Sequence, residues 1–238
     1  MDSSDWKAKF ADNKNFDQKA PYNLKKILEN LDKVTDLDHF NPYYLLSPIY
    51  DFTKVFGRIS SGLAMGFKDI TEKVEIMRQV FKLYPTMDNI QDLIKEEMKI
   101  GVFKFNGNTS GTRFHNDPKY KDYVSAARTF LRLLWFMEYL IHIFRYLATA
   151  DDKSLKDILR DSYDEVLAPR HPLVVRGAVK VALTFASCDK VEAVGYMFEV
   201  KDLGAESKKK ISMVADKLEK IWKAGYAFYD RYGLTKLE

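Results

Sequence analysis

The chain has 238 residues, of which 46% are apolar and 14% aromatic, so it can bury one sizeable hydrophobic core. Its formal net charge of +4 fits a mild attraction to anionic membranes, but not a dedicated nucleic-acid-binding protein with a dense basic patch. Cys188 is the only cysteine, which excludes an intramolecular disulfide and a cysteine-rich metal site and is typical of a reducing cytosol.

The first 20 residues are polar and charged, and they lack the apolar stretch of a secretory signal. We predict that residues 1–20 form a polar arm outside a single domain, which spans residues 21–238. No run of about 18 uninterrupted apolar residues follows, as a membrane-spanning helix would require. The nearest candidate, 130–148, is interrupted by four charged or polar side chains. The sequence therefore predicts a soluble protein.

A helical periodicity runs through almost the whole domain, and strand signals are nearly absent. The predicted helices are, in chain order, 22–34, 40–84 with a possible kink at Ser47-Pro48 or Gly62, 87–99, 119–149, 153–167, 170–186, 189–197 and 203–232. Residues 101–118 are rich in Gly, Asn and Thr and are predicted to form the longest loop. The predicted fold class is all-α, with about eight helices packed in layers.

Two arginines one helical turn apart, Arg128 and Arg132, lie in the most apolar predicted helix. At about 100° per residue they share the face opposite the main apolar stripe. Guanidinium groups are almost never fully buried without a partner, so two of them on a core helix indicate an anion at the edge of an apolar space. The predicted anion is a phosphate, because its oxygens match the planar guanidinium fork.

Asp69 and Lys73 lie four residues apart on another predicted helix and form the second candidate. The other polar residues of this helix collect on one side, whereas Asp69 and Lys73 fall inside its apolar arc. The alternative is an ordinary ion pair on a solvated face, which contributes about 0.3–0.5 kcal/mol to helix stability. That alternative predicts solvated neighbours, and the spacing alone leaves both interpretations open.

His171 precedes Pro172, which is well placed at the first position of a helix. A neutral imidazole there can donate one hydrogen bond to a ligand, and a helix cap or a packed side chain is the alternative. His115 and His142 have no carboxylate or cysteine at ligand spacing, so we predict no metal site and no cofactor. No nucleophile–base pair is evident either, which argues against an enzyme and specifically against a lipid hydrolase.

Taken in order, Asp-x-x-x-Lys at 69–73, Arg-x-x-x-Arg at 128–132 and His-Pro at 171–172 resemble the glycolipid transfer protein superfamily. The resemblance covers about residues 22–237. It implies a two-layer all-α sandwich that binds one sphingolipid, with the head group in a surface cleft and the chains inside. We predict that five apolar residues contact those chains: Val55, Ile59, Leu63, Met65 and Ile76.

Within the superfamily, two positions resemble the ceramide-1-phosphate transfer branch. Glycolipid-selective members carry a Trp where this chain has Arg132, and an Asn where it has Lys73. The resemblance implies that Lys73, Arg128 and Arg132 hold the phosphate of the ligand. It further implies that Asp69 accepts hydrogen bonds from the sphingoid amide and hydroxyl.

The same resemblance implies that His171 donates a hydrogen bond to the acyl carbonyl. Leu173 stands where many members carry a membrane-inserting Trp, and it is the predicted membrane contact.

The predicted function is that of a monomeric, non-enzymatic, cytoplasmic carrier or sensor of a phosphosphingolipid that binds membranes transiently. The alternatives are a lipid-regulated protein-interaction module, glycosphingolipid transfer, or a helical domain whose charged residues merely pair with one another.

Overall fold

A computed structural model describes residues 5–59, 61–184 and 188–237, without the side chains of residues 61–63 and 65. The described part contains ten α-helices, two short 3-10 helices and no strand beyond one isolated bridge between Asn106 and Val124. The helices are α1 Asp5–Ala11, α2 Leu24–Leu31, α3 Pro42–Ile59, α4 Ser61–Leu83, α5 Ile90–Ile100, α6 Ala126–Thr149, α7 Leu155–Val166, α8 Leu173–Thr184, α9 Lys190–Phe198 and α10 Ala205–Arg231. The predicted all-α class is confirmed.

The described part contains two helices more than the predicted eight. The region 40–84, predicted as one long helix with a possible kink, is covered by α3 and α4, on either side of residue 60, which lies outside the described residues. A further helix, α1, lies in the segment that was predicted to be a polar arm. In the described ranges, no helix combines the length and the apolarity that crossing a bilayer requires.

The N-terminal segment packs against the rest of the protein, which the sequence did not predict. Trp6, Phe10 and Phe16 are buried in the main core. The Arg78 guanidinium of α4 donates hydrogen bonds to the backbone carbonyls of Phe10 and Ala11, at 3.0 and 3.1 Å. The segment is polar in composition, but three buried aromatic rings bury enough apolar area to hold it in place.

Helix α6 forms the centre of the core and packs against α10, α4, α7 and α5. Its sequence is apolar on nearly every side, and Phe130, Phe136 and Phe144 are fully buried. The half-buried exceptions include Arg132 and Trp135, which lie on the side of the helix that meets the cavity described below.

The start of α6 is fixed by Glu97 of α5. The Glu97 carboxylate accepts hydrogen bonds from the backbone N–H groups of Ala126 and Ala127, at 2.6 and 2.9 Å, and from the Tyr123 hydroxyl at 2.5 Å. The first N–H groups of a helix have no partner within the helix, so this distant side chain provides their cap. Burial raises the pKa of Glu97, and the three hydrogen bonds oppose that rise.

We expect Glu97→Ala to lower the free energy of unfolding by about 2–5 kcal/mol, because it leaves buried donors without an acceptor. Urea denaturation followed by circular dichroism measures the change. The control is Glu96→Ala, which removes a partly exposed carboxylate from the same helix. If the free energy of unfolding falls by the same small amount in both variants, Glu97 does not cap α6.

Candidate functional site

A cavity of about 1020 Å³ opens among α4, α6, α7 and α8. Its apolar wall comes from α4, α6 and α8 and includes Phe67, Ile70, Phe136, Tyr139, Val179 and Leu183. Its polar and charged lining residues are Asp69, Lys73, Arg132, Tyr163, Arg170, His171 and Lys236. Typical small-molecule pockets occupy about 300–1000 Å³, so this cavity has room for a large ligand that is mostly apolar and carries an anionic group.

Asp69 and Lys73 both line the cavity, and they also form an ion pair with each other. The Lys73 ammonium lies 2.5 Å from an Asp69 carboxylate oxygen. The Lys73 side chain is only 16% exposed, whereas that of Asp69 is 62% exposed. Both interpretations of the spacing therefore hold in part: the residues pair as an ordinary i,i+4 ion pair does, yet they face an apolar cavity.

Arg132 connects α6 electrostatically to this pair. Burial lowers the pKa of Arg132 and the neighbouring Arg128 guanidinium lowers it further, whereas the Asp69 carboxylate raises it. The Arg132 guanidinium donates hydrogen bonds to the carbonyls of Arg128, at 2.9 Å, and Leu237, at 3.5 Å. Two motifs that lie about 60 residues apart in the sequence thus come together in the fold.

Arg128 lies beside Arg132 but is not among the lining residues of the cavity. Its guanidinium lies 3.5 Å from the carbonyl of Lys104, in the long loop before α6. Its predicted contact with a phosphate therefore stays a prediction, and its effect on the site in this structure is through its charge.

His171 lies between a 3-10 helix and the start of α8, as Pro172 suggested. Burial lowers the pKa of His171; the Asp69 carboxylate opposes this, while the Arg176, Lys73 and Arg170 cations lower it further. The imidazole is therefore neutral at neutral pH, with one ring nitrogen protonated and the other free to accept.

Tyr163 favours one of the two neutral forms of the imidazole. Its hydroxyl lies 3.0 Å from His171 Nδ1, and this is the one hydrogen bond that it makes with a described residue. When the hydroxyl donates to Nδ1, Nε2 carries the imidazole proton. His171 can then donate from Nε2 to a ligand. No sequence pattern marked Tyr163, apart from its position on the preceding predicted helix.

Trp135 and Arg170 also line the cavity and were not predicted as site residues. The Trp135 ring centroid lies 5.4 Å from the guanidinium carbon of Arg132 and 5.2 Å from that of Arg170. Arg170 further pairs with Glu138 at 2.7 Å. Cation–π contacts at this distance hold a guanidinium in place, so Trp135 orients Arg132 within the site. Trp135 follows Arg132 by three residues, so it lies on the same face of α6, and this spacing could have marked it as a neighbour of Arg132.

The apolar residues predicted to contact a ligand lie elsewhere or are not described. Val55 and Ile59 are buried in the core, Ile76 is partly buried, and none of the three is among the lining residues. The side chains of Leu63 and Met65 fall outside the described residues. A role for these five residues stays a prediction.

Among the residues that the structure describes, no cluster of His, Cys, Asp and Glu fits a metal ion.

Leu173 and Val174 begin α8 directly after the cavity-lining Pro172. Their exposures of 79% and 84% are the highest among the large apolar residues described. Two such side chains next to a cavity mouth form an apolar projection rather than part of the core.

Comparison with known proteins assigns the family and the fold. A family model described as "Glycolipid transfer protein (GLTP)" matches residues 44–191, more than half of the chain. A search of curated proteins found no match. Human ceramide-1-phosphate transfer protein in complex with 2:0 ceramide-1-phosphate is 18% identical, with a TM-score of 0.75 over 92% of this chain and 100% of that one.

Two further solved structures share the fold. An Arabidopsis accelerated-cell-death 11 variant complexed with C12 ceramide-1-phosphate is 14% identical, with a TM-score of 0.69 over 90% of this chain and 96% of that one. A fungal glycolipid transfer protein is 20% identical, with a TM-score of 0.63 over 86% of this chain and 96% of that one.

Proposed function

The chain belongs to the glycolipid transfer protein family, and we propose that it carries a phosphorylated sphingolipid, such as ceramide-1-phosphate, between membranes without chemical conversion of the lipid. The resemblance seen in the three sequence motifs is confirmed at the level of the family. The observation that carries the proposal is the placement of Asp69, Lys73, Arg132 and His171 in one cavity with an apolar wall.

The apolar wall can hold the lipid chains but cannot choose among lipids. Each buried methylene group contributes about 0.8 kcal/mol, so roughly 30 of them gain on the order of 24 kcal/mol on leaving water. A bilayer provides nearly the same gain, and the chains of different sphingolipids look alike. Selection must therefore come from the few polar residues of the cavity.

Those polar residues favour a phosphate over a sugar. Lys73 and Arg132 line the cavity together with Asp69, which pairs with Lys73, and Arg128 adds a further positive charge that acts on Arg132. A phosphate monoester supplies up to two negative charges, and its hydrogen bonds to cations are stronger than those of neutral groups. A sugar supplies no charge. The complexes of two structurally similar proteins with ceramide-1-phosphate support the same ligand class.

The remaining residues fit the ceramide part of such a ligand. The Asp69 carboxylate accepts hydrogen bonds only, as the sphingoid amide and hydroxyl require. His171, with its proton on Nε2, donates to the acyl carbonyl, and Tyr163 keeps it in that form. Arg132 holds the phosphate in the orientation that Trp135 imposes.

Native mass spectrometry tests the ligand class. The purified protein is incubated with vesicles that contain equal amounts of ceramide-1-phosphate and galactosylceramide, and its mass is then recorded under non-denaturing conditions. We expect a one-to-one complex with ceramide-1-phosphate. A complex with galactosylceramide alone would replace the proposed ligand by a glycosphingolipid, and no lipid complex at all would contradict lipid transfer.

We further propose that the protein docks on membranes reversibly through Leu173 and Val174. Leu173→Ala should lower the vesicle partition coefficient by up to roughly 50-fold, because it removes three carbon groups worth about 0.8 kcal/mol each from the contact. Anionic lipid should strengthen docking, since each surface Lys or Arg gains about 1 kcal/mol near such a bilayer. Vesicle flotation at low and high salt measures both effects.

Met213→Ala is the control for docking, because it shortens an exposed apolar side chain on α10 instead of α8. It should leave flotation unchanged. Equal flotation of Leu173→Ala, Met213→Ala and the natural protein would contradict docking through the start of α8.

A further inference from the structure

The segment that follows α10 returns to the cavity and supplies two of its lining residues, Lys236 and Leu237. Gly233 has a φ of +64°, the left-handed conformation that ends the helix and turns the chain. The Leu234 N–H then donates to the Tyr229 carbonyl at 2.8 Å, and the Leu234 side chain is buried. The segment is therefore anchored in the core just before it reaches the cavity.

Lys236 lies close to the phosphate-binding cations. The carbonyl of its neighbour Leu237 is 3.5 Å from an Arg132 guanidinium nitrogen. Adjacent Cα atoms lie about 3.8 Å apart, and the lysine ammonium extends on a flexible four-carbon stem. Lys236 is exposed, and it makes no ion pair or hydrogen bond with any described residue. No protein carboxylate in the described part thus competes with a ligand for this charge.

We infer that Lys236 is an additional cation of the head-group site and that it favours a phosphate monoester over a phosphocholine head group. The inference rests on the proposed function. A monoester carries about −1.5 to −2 at neutral pH, and its terminal oxygens are free to approach a fourth cation. A phosphocholine diester carries one negative charge and ends in a quaternary ammonium, which an ammonium at the cavity mouth repels.

The carbonyl of Leu237 has a related consequence for Arg132. In the structure it is a weak, neutral acceptor at the limit of hydrogen-bond distance. A phosphate oxygen is a stronger acceptor for the same guanidinium donor and displaces it. The phosphate oxygen then occupies the position of the Leu237 carbonyl, next to Lys236. This proximity is the reason why Lys236 favours a phosphate monoester.

Isothermal titration with short-chain ceramide-1-phosphate and with the matching short-chain sphingomyelin tests the inference without a membrane. Lys236→Ala should weaken ceramide-1-phosphate binding about two- to fivefold, as expected for an exposed ion pair, and leave sphingomyelin binding unchanged or stronger. Lys236→Glu should weaken ceramide-1-phosphate binding about tenfold or more. Lys236→Arg should keep the selectivity of the natural protein, because it keeps the charge.

Lys209→Ala is the matched control, since it removes an exposed lysine from the first turns of α10, at the opposite end of that helix. It should change neither affinity. If Lys236→Ala and Lys236→Glu keep the affinity ratio of the natural protein while Arg132→Leu loses ceramide-1-phosphate binding, the inference is wrong and the proposed function stands. If the natural protein does not bind ceramide-1-phosphate, both are wrong.

Discussion

Asp69→Val is expected to abolish sphingolipid binding while the protein stays folded. The variant has no acceptor for the amide N–H and the hydroxyl of the ceramide, and each donor left unpaired costs about 1–3 kcal/mol. Two such donors correspond to a loss of affinity of roughly 30- to 20,000-fold. The fold should be little affected, because Asp69 is 62% exposed and an exposed ion pair contributes about 0–1 kcal/mol.

The measurement is titration with short-chain ceramide-1-phosphate, together with thermal denaturation to check the fold. Glu72→Val is a close control, because Glu72 lies on the same helix, is 60% exposed and pairs with Lys68 four residues away. It does not line the cavity. Glu72→Val should therefore bind normally. Normal binding by a folded Asp69→Val protein would remove Asp69 from the site.

Arg132→Leu is the second substitution with a large expected effect. It should weaken phosphosphingolipid binding roughly 10- to 150-fold, which corresponds to the loss of about 1.5–3 kcal/mol for a hydrogen bond to a charged group. It should not create glycolipid binding, because Leu offers no aromatic surface to a sugar. Arg132→Lys should bind more tightly than Arg132→Leu but more weakly than the natural protein, since it keeps the charge but loses bidentate hydrogen bonding.

Titration with ceramide-1-phosphate and with a short-chain galactosylceramide separates these outcomes. Arg160→Leu removes a half-exposed guanidinium from α7, away from the cavity, and serves as the control. Unchanged ceramide-1-phosphate affinity in Arg132→Leu would mean that the phosphate binds elsewhere. A gain of galactosylceramide binding would mean that Arg132 acts only to exclude sugars.

The sequence was sufficient to predict the helices from α2 onward, and it marked charged residues of which Asp69, Lys73 and Arg132 line the cavity. Helical periodicity placed α5 to α10 within a few residues of their observed bounds, except that α6 begins at Ala126 instead of residue 119. Two spacings marked charged residues with apolar neighbours. Asp69 and Lys73 lie on an apolar arc of their helix, and Arg128 and Arg132 lie on a core helix. Such conflicts between a charge and its apolar neighbours are visible in a sequence because they are local.

Contacts between distant segments were not predictable from the same patterns. Periodicity shows that Val55 and Ile59 face an apolar interior, but not whether a neighbouring helix or a cavity covers them. The pairing of Tyr163 with His171 depends on how α7 and α8 meet, and the position of Lys236 depends on the turn after α10. The N-terminal segment was misjudged because its average polarity concealed three aromatic residues that pack into the core.

The most direct test of a phosphosphingolipid carrier is a comparison of transfer rates between donor and acceptor vesicles. Trace protein is added to donor vesicles that contain either labelled ceramide-1-phosphate or labelled galactosylceramide, and the label that reaches the acceptor vesicles is followed with time. We predict many rounds of ceramide-1-phosphate transfer per protein molecule and little galactosylceramide transfer. Efficient galactosylceramide transfer, or ceramide-1-phosphate uptake that stops at one lipid per protein molecule, would contradict the proposed function.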